Sequence, residues 1–336
     1  LRNNLRQTLS EETRANFGNT NNLEGVIYQR ISSSNPNSRG YILGSDGTKE
    51  RKYGLTIEAD VIFPNYESES DPIVRNYKTS SLFGMYAFDP AAVDTYYEDT
   101  FLAADPSNLQ VRAIRTSENS KDVYFQLDSA NHPHPLSFFS GSYLTSSVFY
   151  DVYDNERWNF SVRVKPNKDF ASIVTGALAD HSYGYDVIFR GINTFLGEVK
   201  NSFELTGAIN FESGSNFLKN SKRVYCGAER TNYTGTLLYK SDVQVNSVKY
   251  WAKHIDNHSL DQHLYDASNQ GISGSYQNVK FWDPNNGPMD ILNTNALALS
   301  WNFNNITGGS NAAGNFYTED NSSGSAMLRT ANYGWF

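Results

Sequence analysis

Three histidines lie within the segment YWAKHIDNHSLDQHLYD, residues 250–266, and the whole chain contains six. Imidazole nitrogens bind metal ions and exchange protons near neutral pH, so His254, His258 and His263 are candidates for a metal site or a proton-transfer site. Their spacing fits no metal-binding motif of a single helix or strand. A metal site would therefore form only if the fold brings these side chains together.

The segment that carries these histidines is predicted to form a strand, a turn and a short helix. The first histidine continues the strand VKYWAKHI, the second lies in the turn, and the third lies on the helix. Ser259 followed by Gln262 predicts a helix start with a capping box. Leu260 and Leu264 stand four residues apart and form the apolar face of this helix. The pattern favours a structural role for the segment over a reaction centre.

Glu58 and Asp60 are the acids whose spacing could support hydrolysis of a glycosidic bond. In GLTIEADVIF apolar residues alternate with other residues, so both carboxylates lie on one face of a half-buried strand. Retaining glycoside hydrolases use two such carboxyl groups as nucleophile and acid. The next residue on that face is Ile62, so a third acid is missing from the strand.

Other catalytic motifs are absent from the sequence. It contains no G-x-S-x-G elbow, no H-E-x-x-H segment and no G-x-x-x-x-G-K-[ST] loop. We therefore predict a protein that is not an enzyme, and we keep a glycoside hydrolase as an alternative.

A candidate calcium loop lies directly before a predicted strand, in DVYDNERW. Its oxygen-bearing side chains are Asp151, Asp154 and Asn155, and carboxylate and amide oxygens in loops bind Ca²⁺. The same residue types also form turns, because their side chains accept hydrogen bonds from their own backbone. The spacing is not that of an EF-hand, so a calcium loop and a plain turn both stay open as interpretations.

Aromatic side chains in predicted loops could stack on sugar rings. The candidates for such stacking are Tyr96, Tyr97, Tyr143 and Trp282. Tyrosine and tryptophan are also enriched at protein–protein interfaces. These residues therefore fit either a glycan-binding surface or a contact between subunits.

Composition excludes several classes of protein. The chain has 336 residues, of which 39% are hydrophobic and 14% aromatic, so a sizeable core is expected. The net charge of −8 does not favour a nucleic-acid-binding surface. No run of about 18 apolar residues predicts a membrane span. The single cysteine, Cys226, cannot form an internal disulfide, and we expect it to be buried.

Short apolar or alternating runs, separated by clusters of Asn, Gly, Ser, Asp and Pro, dominate the chain and are typical of strands joined by turns. In RWNFSVRV, for example, Trp158, Phe160, Val162 and Val164 share one face. This pattern predicts an all-β fold of two packed antiparallel sheets. The predicted strands are 23–31, 54–64, 80–88, 109–116, 122–128, 157–166, 185–193, 201–207, 223–230, 236–251 and 295–303.

Both ends of the chain differ from its middle. LRNNLRQTLSEETRANFG places Leu1, Leu5 and Leu9 four residues apart, which predicts an amphipathic helix. From residue 269 a turn-rich connector leads to a Gly/Ser/Asn-rich stretch that is typical of the start of a further β module. The predicted organisation is an N-terminal arm and helix at 1–22, a β domain at 23–268, and a connector with the start of a further module at 269–336.

The order of strands between about residues 23 and 266 resembles the laminin-G-like, or concanavalin A-like, jelly-roll domain. YGLTIEADVIFP resembles an early strand of that family, and DVYDNERWNFSVRV resembles its central strand. KRVYCGAERTNYTGTLLYKSDVQVNSVKYWAKHIDNHSLDQHLYD resembles the unit of strands and short helix that closes the domain. The resemblance implies an antiparallel β-sandwich of jelly-roll topology. Glucanases of this fold carry a further acid on their catalytic strand, which this chain lacks.

Domains of this kind, with a Tyr-rich surface, also resemble structural and fibre proteins of tailed-phage virions. The resemblance implies a non-enzymatic virion structural protein, a capsid-associated, tail or fibre component that mediates subunit assembly and surface attachment. Expected partners are other virion proteins, copies of the same chain and surface glycans, with neither nucleic acid nor membrane among them. No cofactor is expected, and Ca²⁺ is an ion that jelly-roll lectins and laminin-G domains often hold. A carbohydrate-binding, lectin-like adhesion module is the alternative.

Overall fold

The computed structural model of the protein describes residues 26–27, 41–43, 49–51, 54–65, 77–88, 109–128, 144–167, 183–219, 221–227, 229–230, 237–239, 241–251, 254–265, 282–283, 287–288, 297–307 and 317–320. Within these ranges no helix combines the length and the apolar character that a membrane span requires.

The described residues form strands and two helices. In chain order the strands up to the middle of the chain are β1 (Val26–Ile27), β2 (Tyr41–Leu43), β3 (Lys49–Arg51), β4 (Leu55–Phe63), β5 (Thr79–Phe88), β6 (Leu109–Arg115), β7 (Val123–Asp128), β8 (Leu144–Thr145), β9 (Glu156–Pro166) and β10 (Tyr185–Phe195). The later strands are β11 (Glu198–Ile209), β12 (Ser221–Cys226), β13 (Glu229–Arg230), β14 (Leu237–Tyr239), β15 (Gln244–Trp251), β16 (Trp282–Asp283), β17 (Gly287–Pro288), β18 (Leu297–Thr307) and β19 (Tyr317–Asp320). The helices are α1 (Phe211–Lys219) and α2 (Asn257–Tyr265).

Two antiparallel sheets contain most of these strands. The main sheet has seven strands in the order β11-β10-β9-β4-β15-β18-β19, and the second sheet has six in the order β1-β12-β5-β6-β7-β8. Every strand pairing within them is antiparallel. The prediction of a mostly β protein with two antiparallel sheets is confirmed.

The inner faces of the two sheets share one hydrophobic core. Phe125 of β7 contacts Trp158 and Phe160 of β9 across it, with ring centroids 4.7 and 4.8 Å apart. The predicted alternation of β4 is present, because Leu55 and Ile57 lie in this core while the residues between them face the other way. Burying each such apolar side chain stabilises the fold by roughly 1.5–3 kcal/mol.

β18 continues the main sheet past the predicted domain boundary near residue 268. It pairs with β15, where Val248 faces Trp301. Leu299, Trp301 and Phe303 alternate into the shared core, and Leu297 packs in a smaller cluster beside α2. NALALSWNF is a strand as predicted, but it belongs to this sheet, because its alternate apolar side chains are covered by the same core.

Helix α1 follows β11 directly and is absent from the predicted elements. Asn210 caps its first turn, because Asn210 Oδ1 accepts a hydrogen bond from the amide three residues later at 2.8 Å. Phe217 and Leu218 of the helix are buried in the shared core. A Cβ atom at Gly214 would stand 2.2 Å from the Tyr185 ring, so this glycine allows α1 to approach β10 closely.

Some predicted elements are shorter or divided in the structure. The run 223–230 forms β12 and β13, and the run 236–251 forms β14 and β15. β13 and β14 pair with each other as a separate hairpin. Within 23–31 the described residues are those of the two-residue strand β1. The predicted N-terminal helix, 1–22, lies outside the described residues.

The substitution Trp301→Ala tests whether β18 belongs to the main core. Trp301 is fully buried, so its truncation should lower the free energy of unfolding of the whole domain by about 3–5 kcal/mol. Urea denaturation followed by far-UV circular dichroism measures the change. Phe195→Ala is the control, because Phe195 is 63% exposed and its truncation should cost less than about 0.5 kcal/mol. An unchanged main transition for Trp301→Ala would assign β18 to a separate unit.

Candidate functional site

Glu58 and Asp60 lie on the outer face of the main sheet, the side turned away from the shared core. They occupy alternate positions of β4, as predicted, with β9 on one side and β15 on the other. Ser161 of β9 and Lys249 of β15 stand beside Glu58. Glu58, Asp60 and Lys249 are only 3, 2 and 3% exposed. Other parts of the protein therefore cover the outer face of β4.

The carboxylate of Glu58 is bound from two sides. His263 Nδ1 lies 2.7 Å from Glu58 Oε2, and Asn159 Nδ2 donates a hydrogen bond to Oε1 at 2.7 Å. Burial alone would raise the pKa of Glu58, but attraction to His263, the hydrogen bonds from His263 and Asn159, and attraction to Lys249 lower this pKa to about 2. Glu58 is therefore ionised at neutral pH, and His263 Nδ1 donates its hydrogen to the carboxylate.

Asp60 is bound by one arginine. Arg157 Nε donates to both carboxylate oxygens of Asp60, at 2.8 and 2.9 Å, and Arg157 Nη2 lies 2.8 Å from Oδ2. Burial raises the pKa of Asp60 above its usual value, although Arg157 opposes the shift. The hydrogen bond to Asp60 raises the pKa of the Arg157 guanidinium, which holds the arginine as a cation. The two acids of β4 thus have separate partners.

Helix α2 packs against this outer face and begins earlier than predicted. Asp256 is its N-cap, because Asp256 Oδ1 accepts a hydrogen bond from the Ser259 amide at 2.7 Å and its carbonyl accepts one from the Leu260 amide at 3.1 Å. The predicted capping box of Ser259 and Gln262 is wrong, since Asp256 already binds the amides of the first turn. Leu260 and Leu264 are buried, as predicted.

Charged and polar side chains hold α2 on the sheet. Arg190 Nη2 of β10 donates to Asp261 Oδ1 at 2.6 Å, and Asn257 Nδ2 donates to Glu204 Oε2 of β11 at 3.2 Å. A small apolar cluster supplements these contacts. Its members are Trp251, Ile255, Leu260 and Leu297. Polar and apolar contacts together therefore fix α2 over the acids of β4.

The three histidines of the predicted cluster lie in different surroundings. His263 is buried, and its ring stacks on Trp251 with centroids 5.4 Å apart. His258 is exposed on α2, and His254 is half-buried before that helix. In the described part of the chain, no group of three or more His, Cys, Asp or Glu side chains is arranged to hold a metal ion.

Glu58 and His263 form a carboxylate–imidazole pair. The carboxylate accepts the hydrogen on Nδ1, so Nε2 is the ring nitrogen that is left for a second contact. His263 Nε2 is buried and has no hydrogen-bond partner among the described residues. The pair joins α2 to β4.

The candidate calcium residues Asp151, Asp154 and Asn155 lie in the turn before β9. Asp151 and Asn155 have positive φ angles of 55° and 62°. Asp154 Oδ1 accepts hydrogen bonds from Asn65 Nδ2 at 2.6 Å and Lys121 Nζ at 3.1 Å, and Asn155 Oδ1 accepts one from the Asn65 amide at 3.1 Å. These contacts attach the turn to the end of β4. A calcium role for the three residues stays a prediction.

A second buried polar cluster joins distant segments of the chain. Asp242 is fully buried and accepts hydrogen bonds from Ser80 Oγ at 2.6 Å, Tyr153 Oη at 2.7 Å and Arg115 Nη2 at 2.9 Å. Burial and the charge of Asp242 raise the pKa of Tyr153, so its hydroxyl remains a donor. The carboxylate, hydroxyls and guanidinium satisfy one another, which indicates a structural role.

The side chains of the predicted glycan-stacking residues lie outside the part of the chain that the structure describes. Tyr96, Tyr97 and Tyr143 lie outside the described residues, and Trp282 lies in β16, where the description does not extend to its side chain. Their role in glycan binding stays a prediction. Tyr150, which sequence reasoning did not single out, is 72% exposed.

The turn between β10 and β11 exposes apolar side chains to solvent. Phe195 pairs with Glu198, so Leu196 and Gly197 form a two-residue turn with φ angles of 51° and 84°. Such turns favour Asn or Asp before Gly, whereas leucine at positive φ is strained. Phe195, Leu196 and Val199 are 63, 87 and 50% exposed, and we call these three residues the hairpin tip.

Val148 and Tyr150 lie at the same end of the two sheets as the hairpin tip. They are 39 and 72% exposed and flank Phe149, whose ring packs on Trp158 with centroids 5.0 Å apart. Trp158 pairs with Asn193, two residues before the tip. We call the hairpin tip together with these two residues the apolar end. This surface was not predicted from the sequence. The feature that could have indicated it is Leu196, which stands in a two-residue turn where Asn or Asp is favoured.

Glu58→Gln should destabilise the protein at neutral pH and reduce its sensitivity to acid. The pKa of Glu58 is about 2 in the folded protein against an ordinary 4.5, so the unfolded chain binds the proton first as the pH falls. The stability that Glu58 contributes is full above an ordinary carboxyl pKa and is lost as the pH falls toward about 2, by an amount on the order of 3 kcal/mol. Urea unfolding across this pH range measures the effect.

Glu198→Gln is the matched control for this prediction, because Glu198 is an exposed carboxylate on the β10–β11 hairpin. It should change the free energy of unfolding at neutral pH by less than about 0.5 kcal/mol. If the wild type and Glu58→Gln lose stability in parallel as the pH falls, the low pKa of Glu58 is wrong.

No protein-family model matches the chain, and no curated protein matches it. Among solved structures, the chain is similar to the botulinum neurotoxin type G receptor binding domain over 68% of its own length and 42% of that chain, at 10% identity with a TM-score of 0.29. It is also similar to two mutants of alginate lyase Aly36B. The mutant in complex with alginate tetrasaccharide matches 71% of this chain and 93% of its own, at 12% identity with a TM-score of 0.28. The mutant in complex with alginate trisaccharide matches 62% and 75%, at 15% identity with a TM-score of 0.26. These distant β-rich domains assign the chain to no family.

Proposed function

We propose that this protein is a non-enzymatic structural component of a virus particle, built on a laminin-G-like jelly roll. The observation that carries the proposal is the apolar end, above all its hairpin tip, where Phe195, Leu196 and Val199 of one hairpin are 63, 87 and 50% exposed. Exposed apolar surface of this kind is typical of contacts with other proteins. The apolar end is the surface by which the protein joins its neighbours in the particle.

The conformation and exposure of the hairpin tip are unfavourable in a protein that has no binding partner. Leu196 combines a positive φ with 87% exposure, and backbone strain of this kind costs on the order of 1–3 kcal/mol. Asparagine at the same position would relieve the strain and remove exposed apolar area. Leucine becomes favourable here only when a partner covers its side chain. The tip therefore supports an assembly role.

The acids of β4 support a non-enzymatic role. A glycoside hydrolase needs one carboxyl group that is protonated near neutral pH and a second that can attack or activate water. Glu58, with a pKa of about 2, is a poor proton donor. Burial raises the pKa of Asp60, which is the direction that a general acid requires, but Arg157 Nε binds both of its carboxylate oxygens. α2 also packs over the face on which the two acids lie.

The jelly-roll topology and the virion setting rest on the resemblance of the strand order in the sequence. Two antiparallel sheets around one core, with a short helix after β15, support the coarser part of that resemblance. The proposed location is the virion, and the proposed partners are other virion proteins and copies of the same chain.

Replacement of the hairpin tip should prevent the chain from entering the particle. The double variant Phe195→Thr with Leu196→Asn removes exposed apolar surface, while threonine suits a strand and asparagine suits a positive φ. Particles purified from cells that carry the sequence should contain the wild-type chain in a fixed ratio to the other subunits and roughly tenfold less of the variant. Quantitative mass spectrometry of the particles measures both amounts.

Tyr265→Ser is the matched control, because Tyr265 is an aromatic side chain that is 60% exposed on α2 and is not part of the apolar end. It should enter the particle like the wild type, and thermal melting should show that all three proteins are folded. Normal incorporation of the tip variant would overturn assembly through this surface. Absence of the wild-type chain from purified particles would overturn the virion assignment.

A lectin-like adhesion module is the second candidate function, and Tyr150 favours it. Its ring is 72% exposed, and Asp151 and Asn155 follow on the same turn. An exposed ring can stack on the apolar face of a sugar while neighbouring carboxylate and amide groups bind its hydroxyls. A glycan array probed with the full chain should show binding that Tyr150→Ala abolishes and Tyr265→Ala preserves. No bound glycan at high protein concentration would eliminate this candidate.

A further inference from the structure

β11 is the last strand of the main sheet, and one of its edges pairs with no strand in the part of the chain that the structure describes. β10 occupies the other edge along its whole length. The side chains of β11 alternate between exposed and half-buried from Ser202 to Ala208. A strand edge of this kind presents unpaired amide and carbonyl groups, which are a template for another strand.

The free edge of β11 is protected at its beginning and open afterwards. The register shifts beside Asn193 and Thr194 and leaves Lys200 as an extra, bulged residue, and both bulges and lysines discourage pairing with another strand. Residues 201–209 contain no proline and a single charged residue, Glu204. They form the open segment of the edge.

We propose that this open segment pairs antiparallel with the same segment of a second copy of the chain, so that the two main sheets continue as one. The two-fold axis makes the contact isologous, and an isologous contact closes after two copies. The inference deepens the proposed function by naming one partner. It rests on that function for its biological purpose, whereas its test uses the isolated protein.

The side chains of the open segment select one register for the pair. With Leu205 opposite its own copy, the whole segment pairs, Phe203 lies opposite Gly207, and Glu204 lies opposite Thr206. No like charges meet in this register. Phe203 keeps its place over Gly191 of its own sheet, where a Cβ atom would stand 2.3 Å from the phenylalanine ring. Moving the axis by one residue, to Glu204, would place two carboxylates opposite each other, which is destabilising.

Two cysteine variants test this register. Ser202 and Ala208 are exposed, small and opposite each other in the proposed pair. With the shortest bismaleimide, a mixture of Ser202→Cys and Ala208→Cys should form roughly tenfold more crosslinked dimer than either protein alone, because identical cysteines would lie about 20 Å apart. The native Cys226 does not compete, since it is 2% exposed and burial raises its pKa to about 12.

The wild-type chain supplies an independent measurement. Light scattering should give twice the mass of one chain, and both cysteine variants should melt like the wild type. Equal crosslinking in the mixture and in a single variant would overturn the register, and a wild-type chain that stays monomeric at every concentration would overturn the pairing. A dimer that forms in solution but is absent from particles would support the pairing and overturn the assembly role instead.

Discussion

β4 is buried on both of its faces, and the rest of the structure depends on supplying partners for the side chains of each face. Its inner side chains need apolar cover from the second sheet, while Thr56, Glu58 and Asp60 on its outer side need polar partners. A buried carboxylate without such partners is strongly destabilising. β9, β15 and α2 supply the hydrogen bonds and positive charge, and α2 contributes the imidazole that binds Glu58.

The protein keeps its reactive groups inside and places apolar side chains outside. The Glu58–His263 pair is buried beneath α2, and buried Asp242 accepts hydrogen bonds from neighbouring side chains. Leu196, by contrast, is 87% exposed. Active sites place a few polar groups around an open cleft, whereas exposed apolar side chains are typical of contacts with other proteins. This contrast is what supports the proposed assembly role.

Strands with a clear period of two were predictable from the sequence, and contacts between distant residues were not. β4 and β9 follow from alternation alone. α1 was missed because FESGSNFLK is poor in helix-forming residues, and the helix depends on its Asn210 cap and on packing. The start of α2 was misplaced because Asp256 and Ser259 are both good N-caps. The contact between Glu58 and His263 spans 205 residues, and no local pattern encodes it.

The order of the main sheet has a consequence for synthesis of the chain on the ribosome. β4, β9 and β15 are neighbours in space, yet roughly a hundred residues separate each from the next along the chain. At elongation rates of about 5–20 residues per second, the first neighbour of β4 emerges from the ribosome on the order of five to twenty seconds after β4 itself. β4, which is buried on both faces in the finished protein, is therefore a strand that a chaperone has reason to hold during translation.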